Sequence, residues 1–152
     1  MPIRIIAVGR KHESWVSDGI MRYEKRLKKP FDSEWVLLPH AVSEGLSARQ
    51  DESERILSRL DPKAYVILLD EKGKEFTSPA LSSLLLRQLE ASRLVILIIG
   101  GAYGVDQSVH DRADIVWSLS PLVFPHQLVR LMLAEQLYRA QEISSGGPYH
   151  HE

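Results

Sequence analysis

Cysteine is absent from the 152 residues, which removes disulfides, thiolate metal sites and thiol nucleophiles, and fits a reducing compartment. No apolar run approaches the roughly 18 residues of a membrane span. Met1-Pro2-Ile3-Arg4 lacks a charged-then-apolar leader pattern. The expectation is a soluble, cytoplasmic chain with no membrane partner. Charge of one sign is lacking too: 19 Lys and Arg stand against 20 Asp and Glu. Bulk charge then gives no attraction to a polyanion, and a nucleic-acid partner would have to meet a local patch. Arg10-Lys11 and the run Arg22, Lys25, Arg26, Lys28 and Lys29 are the candidates, although such runs are otherwise the solvated face of a helix.

Several catalytic signatures are also missing. The sequence holds no G-x-G-x-x-G fingerprint, no P-loop, no G-x-S-x-G elbow and no H-E-x-x-H pair, which argues against a dinucleotide-dependent oxidoreductase and leaves hydrolase chemistry without a warrant. His150 and His151 have no third ligand at metal-site spacing, so no metal is expected. No linker, internal repeat or low-complexity tract divides the chain, and residues 1–152 are expected to form one domain with one core, burying about two thirds of the unfolded surface.

What is present reads as alternating strands and helices. An apolar run over 3–8 closed by Gly9 predicts a first strand. Ser14 is placed to cap a helix over 15–27 that stops at Pro30. A strand over 34–38 ends at Pro39. Residues 41–53 are expected to be a flexible insertion or a segment ordered by a partner, before a helix around Ile56, Leu57 and Leu60. A two-sided buried strand over 64–69 precedes a polar turn over 70–74. Ser78-Pro79 reads as a cap with proline at the first helical position, opening a helix to about Ala91. The most apolar strand covers 94–99, a short one 115–118, and Pro125 opens a last helix over 126–143 on which Glu135 and Arg139 stand four apart. This order predicts an α/β fold: a mostly parallel sheet with helices on both faces, joined by right-handed crossovers.

Function is expected in the last third. Gly100-Gly101-Ala102-Tyr103-Gly104 follows a buried strand, where glycines let backbone groups approach a ligand; packing alone would also explain them. Leu119, Ser120, Pro121, Leu122, Val123 and Phe124 form an apolar loop bracketed by prolines, a match for a flat purine or simply a buried connector. His126 opens the last helix as a base, a ligand or a packing residue.

Taken together, Leu69-Asp70, Ile99-Gly100-Gly101 with Gly104, Trp117-Ser118-Leu119-Ser120, Phe124-Pro125-His126, Leu128-Val129-Arg130, Glu135 through Ala140 and Pro148-Tyr149-His150 resemble the RlmH family across essentially the whole chain. These are SPOUT-class methyltransferases of a 23S ribosomal RNA pseudouridine. The resemblance implies a C-terminal trefoil knot, a homodimer, and S-adenosyl-methionine held by Leu69, Gly100, Gly101 and the loop Leu119, Ser120, Pro121, Leu122, Val123 and Phe124. It implies methylation of pseudouridine N3 on the assembled ribosome, with Tyr149 and His150 reaching the opposite subunit's site to help receive RNA. His150 is expected to accept the proton or orient the base, and Arg130 or Arg139 to hold phosphate or a base oxygen. A non-catalytic ribosome-binding factor with the same fold is the alternative.

Overall fold

Each strand is followed by a helix in the computed structural model, which describes residues 1–151. The elements run β1 (Ile3–Val8), α1 (Ser14–Glu24), β2 (Ser33–Leu38), α2 (Gly45–Leu57), β3 (Tyr65–Glu75), α3 (Ser78–Glu90), β4 (Val95–Ile99), α4 (Gln107–Arg112), β5 (Ile115–Ser118) and α5 (His126–Ser144). One sheet of order β2-β1-β4-β3-β5 results, and all of its pairs are parallel.

Right-handed crossovers dictate which face each helix covers. Steps from β1 to β2 and from β3 to β4 run one way along the sheet, and steps from β2 to β3 and from β4 to β5 run the other. Helices α1 and α3 therefore fall on one face, α2 and α4 on the other. Strand alternation follows suit. Ile3, Ile5, Ile67, Leu97 and Trp117 pack with Leu81 and Leu85 of α3 and Leu133 and Leu137 of α5. Ile6, Val66, Leu68, Ile96 and Ile98 pack with Ile56 of α2 and Val109 of α4. β4 is buried at all five positions, as a central strand covered on both faces requires.

α5 joins the first face by lying against both α1 and α3. Ala134 packs against Val16 and Ile20 of α1. Polar stitches add direction: Ser82 Oγ donates to the Ala140 carbonyl at 2.7 Å, Ser78 Oγ to Gln136 Oε1 at 2.9 Å, and Gln141 Nε2 to the Arg26 carbonyl at 3.0 Å.

Four expectations need correction. Residues 41–53 are no flexible insertion, because α2 begins at Gly45 and buries Ala48, Glu52 and Ser53. The 70–74 turn lies within β3: Leu69 and Lys74 both register with Trp117, and the residues between them form a bulge. Gly73 is needed at that bulge, since a Cβ there would lie 2.6 Å from the Val116 carbonyl oxygen. α3 is capped by Thr77, whose hydroxyl accepts from the Ala80 N–H at 3.2 Å, and Ser78 is already helical. α1 starts at Ser14 with no side-chain cap and ends at Glu24, short of the expected Leu27.

Candidate functional site

The carboxyl ends of β3, β4 and β5 open onto a cleft of about 700 Å³, within the usual size of a small-molecule site. Its floor is the Gly100–Gly104 loop. Gly104 sits at φ +72° and donates its N–H to the Gly101 carbonyl at 3.0 Å, a left-handed turn that favours glycine. Gly101 is required by space: a Cβ would lie 2.6 Å from Glu52 Oε1 and 3.2 Å from a Val8 methyl. The loop then runs into α4, where the Asp106 carboxylate accepts from the N–H groups of Ser108 and Val109 and the Asp106 N–H donates to Ser53 Oγ at 2.9 Å. α2 thus braces the floor from behind.

The opposite wall is the loop from β5 to α5. Ser118 Oγ donates to the Ser120 carbonyl at 2.9 Å and Ser120 Oγ accepts from the Leu122 N–H at 3.1 Å, folding the loop so that Leu122 and Val123 project at 67% and 77% exposure. Leu69, Gly100, Gly101, Leu119, Ser120, Leu122, Val123 and Phe124 all line the cleft. Pro121 alone among the expected binding residues does not.

Sequence reading passed over other lining groups. Arg49 of α2 and His110 of α4 lie on the walls, and His110 Nε2 is 3.5 Å from Asp70 Oδ2. His126 also lines the cleft. Burial lowers its pKa from the ordinary imidazole range, and the charges of Arg130 and His40 act the same way, against a hydrogen bond to the Gly100 backbone and the charge of Glu52. His126 is therefore a neutral imidazole fastened to the cleft floor.

The expected catalytic residues lie elsewhere, in two places. Arg130 is 1% exposed and serves as a brace for the turn after β1. Its guanidinium donates to the carbonyls of Val8 at 3.0 Å, Gly9 at 3.1 Å and Lys11 at 3.3 Å, and contacts His12 Nδ1 at 3.2 Å. Burial first, then the Arg130 charge, keeps the His12 pKa low. With three carbonyls of that turn drawn to it, Arg130 is not presented to a phosphate in this chain.

Arg139, Tyr149 and His150 form the second group. The chain reverses after α5 at Gly146, φ +73°, with the Gly147 N–H donating to the Glu142 carbonyl at 2.8 Å. The tail then lies back along α5. Tyr149 meets the Tyr138 ring edge-on at 4.8 Å, and the Arg139 guanidinium stands 4.8 Å from the Tyr149 ring centre. Arg139 Nε donates to Glu135 Oε1 at 2.7 Å and its Nη1 lies 3.0 Å from His150 Nδ1. Because arginine only donates, His150 Nδ1 is the acceptor and the neutral ring carries its proton on Nε2. Burial foremost, with the nearby charge of Glu135, raises the Tyr149 phenol above its ordinary value, so it stays protonated at neutral pH. None of these residues lines the cleft of its own chain.

An all-parallel α/β sheet with a glycine-floored cleft at its carboxyl edge, walled by an apolar loop, defines a protein for a small ligand with a flat apolar part and a polar end. A family model described as "Predicted SPOUT methyltransferase" matches residues 1–150, and the chain belongs to that family. It is 44% identical to the ribosomal RNA large subunit methyltransferase H of Desulfitobacterium hafniense (strain DSM 10664 / DCB-2), over 99% of each chain. Proteins of the same name are 41% identical in Anaeromyxobacter sp. (strain Fw109-5), over 99% of each chain, and 40% identical in Thioalkalivibrio sulfidiphilus (strain HL-EbGR7), over the whole of both. Among solved structures, the SpoU methyltransferase AviRb of Streptomyces viridochromogenes, crystallised with AdoMet, is 13% identical with a TM-score of 0.48, covering 93% of this chain and 58% of that one.

Proposed function

We propose that this chain transfers a methyl group from S-adenosyl-methionine to N3 of a pseudouridine in 23S ribosomal RNA. In this reading it works in the cytoplasm on the assembled ribosome, as a homodimer whose C-terminal part forms a trefoil knot. The observation that carries the proposal is end-to-end identity of 40–44% with proteins named ribosomal RNA large subunit methyltransferase H. The cleft supports it independently. Gly100 and Gly101 stand where a Cβ would crowd Val105, Glu52 and Val8 and displace the floor, and Leu69, Trp117, Leu119 and Phe124 offer apolar surface to a purine.

S-adenosyl-methionine supplies a methyl on a sulfonium, an electrophile that needs no metal. The protein has to hold the accepting nitrogen in line with that methyl, an alignment worth up to about 7–11 kcal/mol in favourable cases, and to give the N3 proton a way out. His150 is the group proposed at the accepting base. While Arg139 occupies Nδ1, His150 orients through its Nε2 proton, and a role as proton acceptor requires release of that contact. The tail lies outside its own cleft, which supports a site completed by a second copy. The projecting Leu122 and Val123 give that copy apolar surface to cover.

The test is transfer of labelled methyl to ribosomes lacking the modification, with pseudouridine-free ribosomes and isolated 23S RNA in parallel. Labelling confined to pseudouridine-containing ribosomes is the expected result. Cofactor binding without labelling of any substrate would favour the non-catalytic ribosome-binding factor.

A further inference from the structure

Two basic side chains that line the cleft are unassigned by everything above, and of these Lys72 is exposed to water whereas Arg49 is half-buried. Arg49 lies on the part of α2 that faces the Gly100–Gly104 loop, half-buried, with its side chain on the cleft wall. Among the described residues it makes no ion pair and no hydrogen bond. None of the acids of the same region is paired with it: Asp51 meets Ser43, Glu52 accepts from the Ala41 N–H through Oε2, and one oxygen of Asp70 faces His110. A guanidinium that is partly withdrawn from water and left without a carboxylate gains from an anionic ligand that presents two oxygens to its fork.

We propose that Arg49 is the subsite for the α-carboxylate at the amino-acid end of the cofactor. The inference rests on the cofactor reading above. The mixed charge of the cleft favours that anion over an RNA phosphate. Leu119 and Phe124 give the cleft apolar surface, and side chains of both signs, Arg49 and Lys72 with Asp70 and Glu71, stand on its walls. A ligand with a flat purine and a zwitterionic end, carboxylate and ammonium together, has a complement for each part. An RNA phosphate has no use for Asp70, which would repel it.

The experiment compares two ligands on the full chain by calorimetric titration: S-adenosyl-homocysteine, which carries the carboxylate, and 5′-methylthioadenosine, which lacks it. Arg49→Gln is expected to weaken S-adenosyl-homocysteine about tenfold or more while leaving 5′-methylthioadenosine unchanged, since one charge-assisted contact is lost from one ligand only. Arg49→Lys should restore part of the difference. Equal weakening of both ligands would overturn the inference and make Arg49 a support of the floor. Unchanged binding of both would also overturn it, and a raised KM for ribosomes in that case would assign Arg49 to the RNA. Failure of the wild-type chain to bind S-adenosyl-homocysteine would overturn the cofactor reading itself, and the inference with it.

Discussion

The cleft and the tail differ in what holds them. The cleft is set by the shape of its main chain, with glycine at 101 and 104, which the Asp106 carboxylate and the Ser53 hydroxyl hold by its N–H groups. The tail, once main-chain bonds have turned it at Gly146 and Gly147, is held by side chains, a ladder of Tyr138, Tyr149 and Arg139 ending on His150. Backbone supported by a sheet is stiff and keeps its shape without a ligand, whereas a side-chain ladder on an exposed helix end opens at modest cost. A rigid place to bind and a releasable place to react are what a large, structured substrate requires.

Three experiments would break or sharpen that contrast. The largest effect is expected at Gly101→Val, which drives a branched side chain into Glu52 and Val8. S-adenosyl-homocysteine binding and methyl transfer should both become undetectable while circular dichroism keeps the α/β signature; retained binding would show that the floor yields. His150→Ala comes next. Turnover on ribosomes should fall about 100-fold or more, the usual scale for losing a proton-handling group, with cofactor affinity unchanged. Arg139→Ala should show a smaller loss of the same kind. Near-wild-type turnover in His150→Ala would remove the tail from the reaction.

The smallest effect concerns pH. His126 in the cleft and His12 against Trp35 and Arg130 have pKa values lowered chiefly by burial. In the unfolded chain they take up protons as pH falls through about 6.5, while in the folded chain they resist. The unfolded state therefore binds more protons in the window below 6.5, and stability falls as pH falls through it. Thermal unfolding followed from about pH 7.5 down to pH 5.5 should show the midpoint decline, and His12→Asn with His126→Asn should flatten the slope. An unchanged slope would mean that other groups carry the acid sensitivity.

The strands were legible because four of the five are short apolar runs with clear stops, and the glycine and proline loops stood out for the same reason. Only the end of α2, at Ile56 and Leu57, was legible, since two of its four buried residues are Glu52 and Ser53 and polar burial erases the apolar period. With the first three turns of α2 hidden, so were Arg49 and the brace behind Gly101. The second half of β3 is polar and exposed, so it read as a turn. α4 buries only Val109 in six residues, too little for a periodic signal. Arg130 could be placed on the last helix but not in its role, because the carbonyls it gathers lie more than a hundred residues away along the chain.

Such separations bear on how the molecule comes together. No pair of neighbouring strands is joined by a hairpin, and Ile6 of β1 must find Ile98 of β4 before the centre of the sheet exists. Loop closure on that scale is unfavourable until the strands pair. The chain is thereby placed among slow folders whose rate is governed by topology more than by stability, and a mutation in β4 should slow refolding where one in the tail would pass unnoticed.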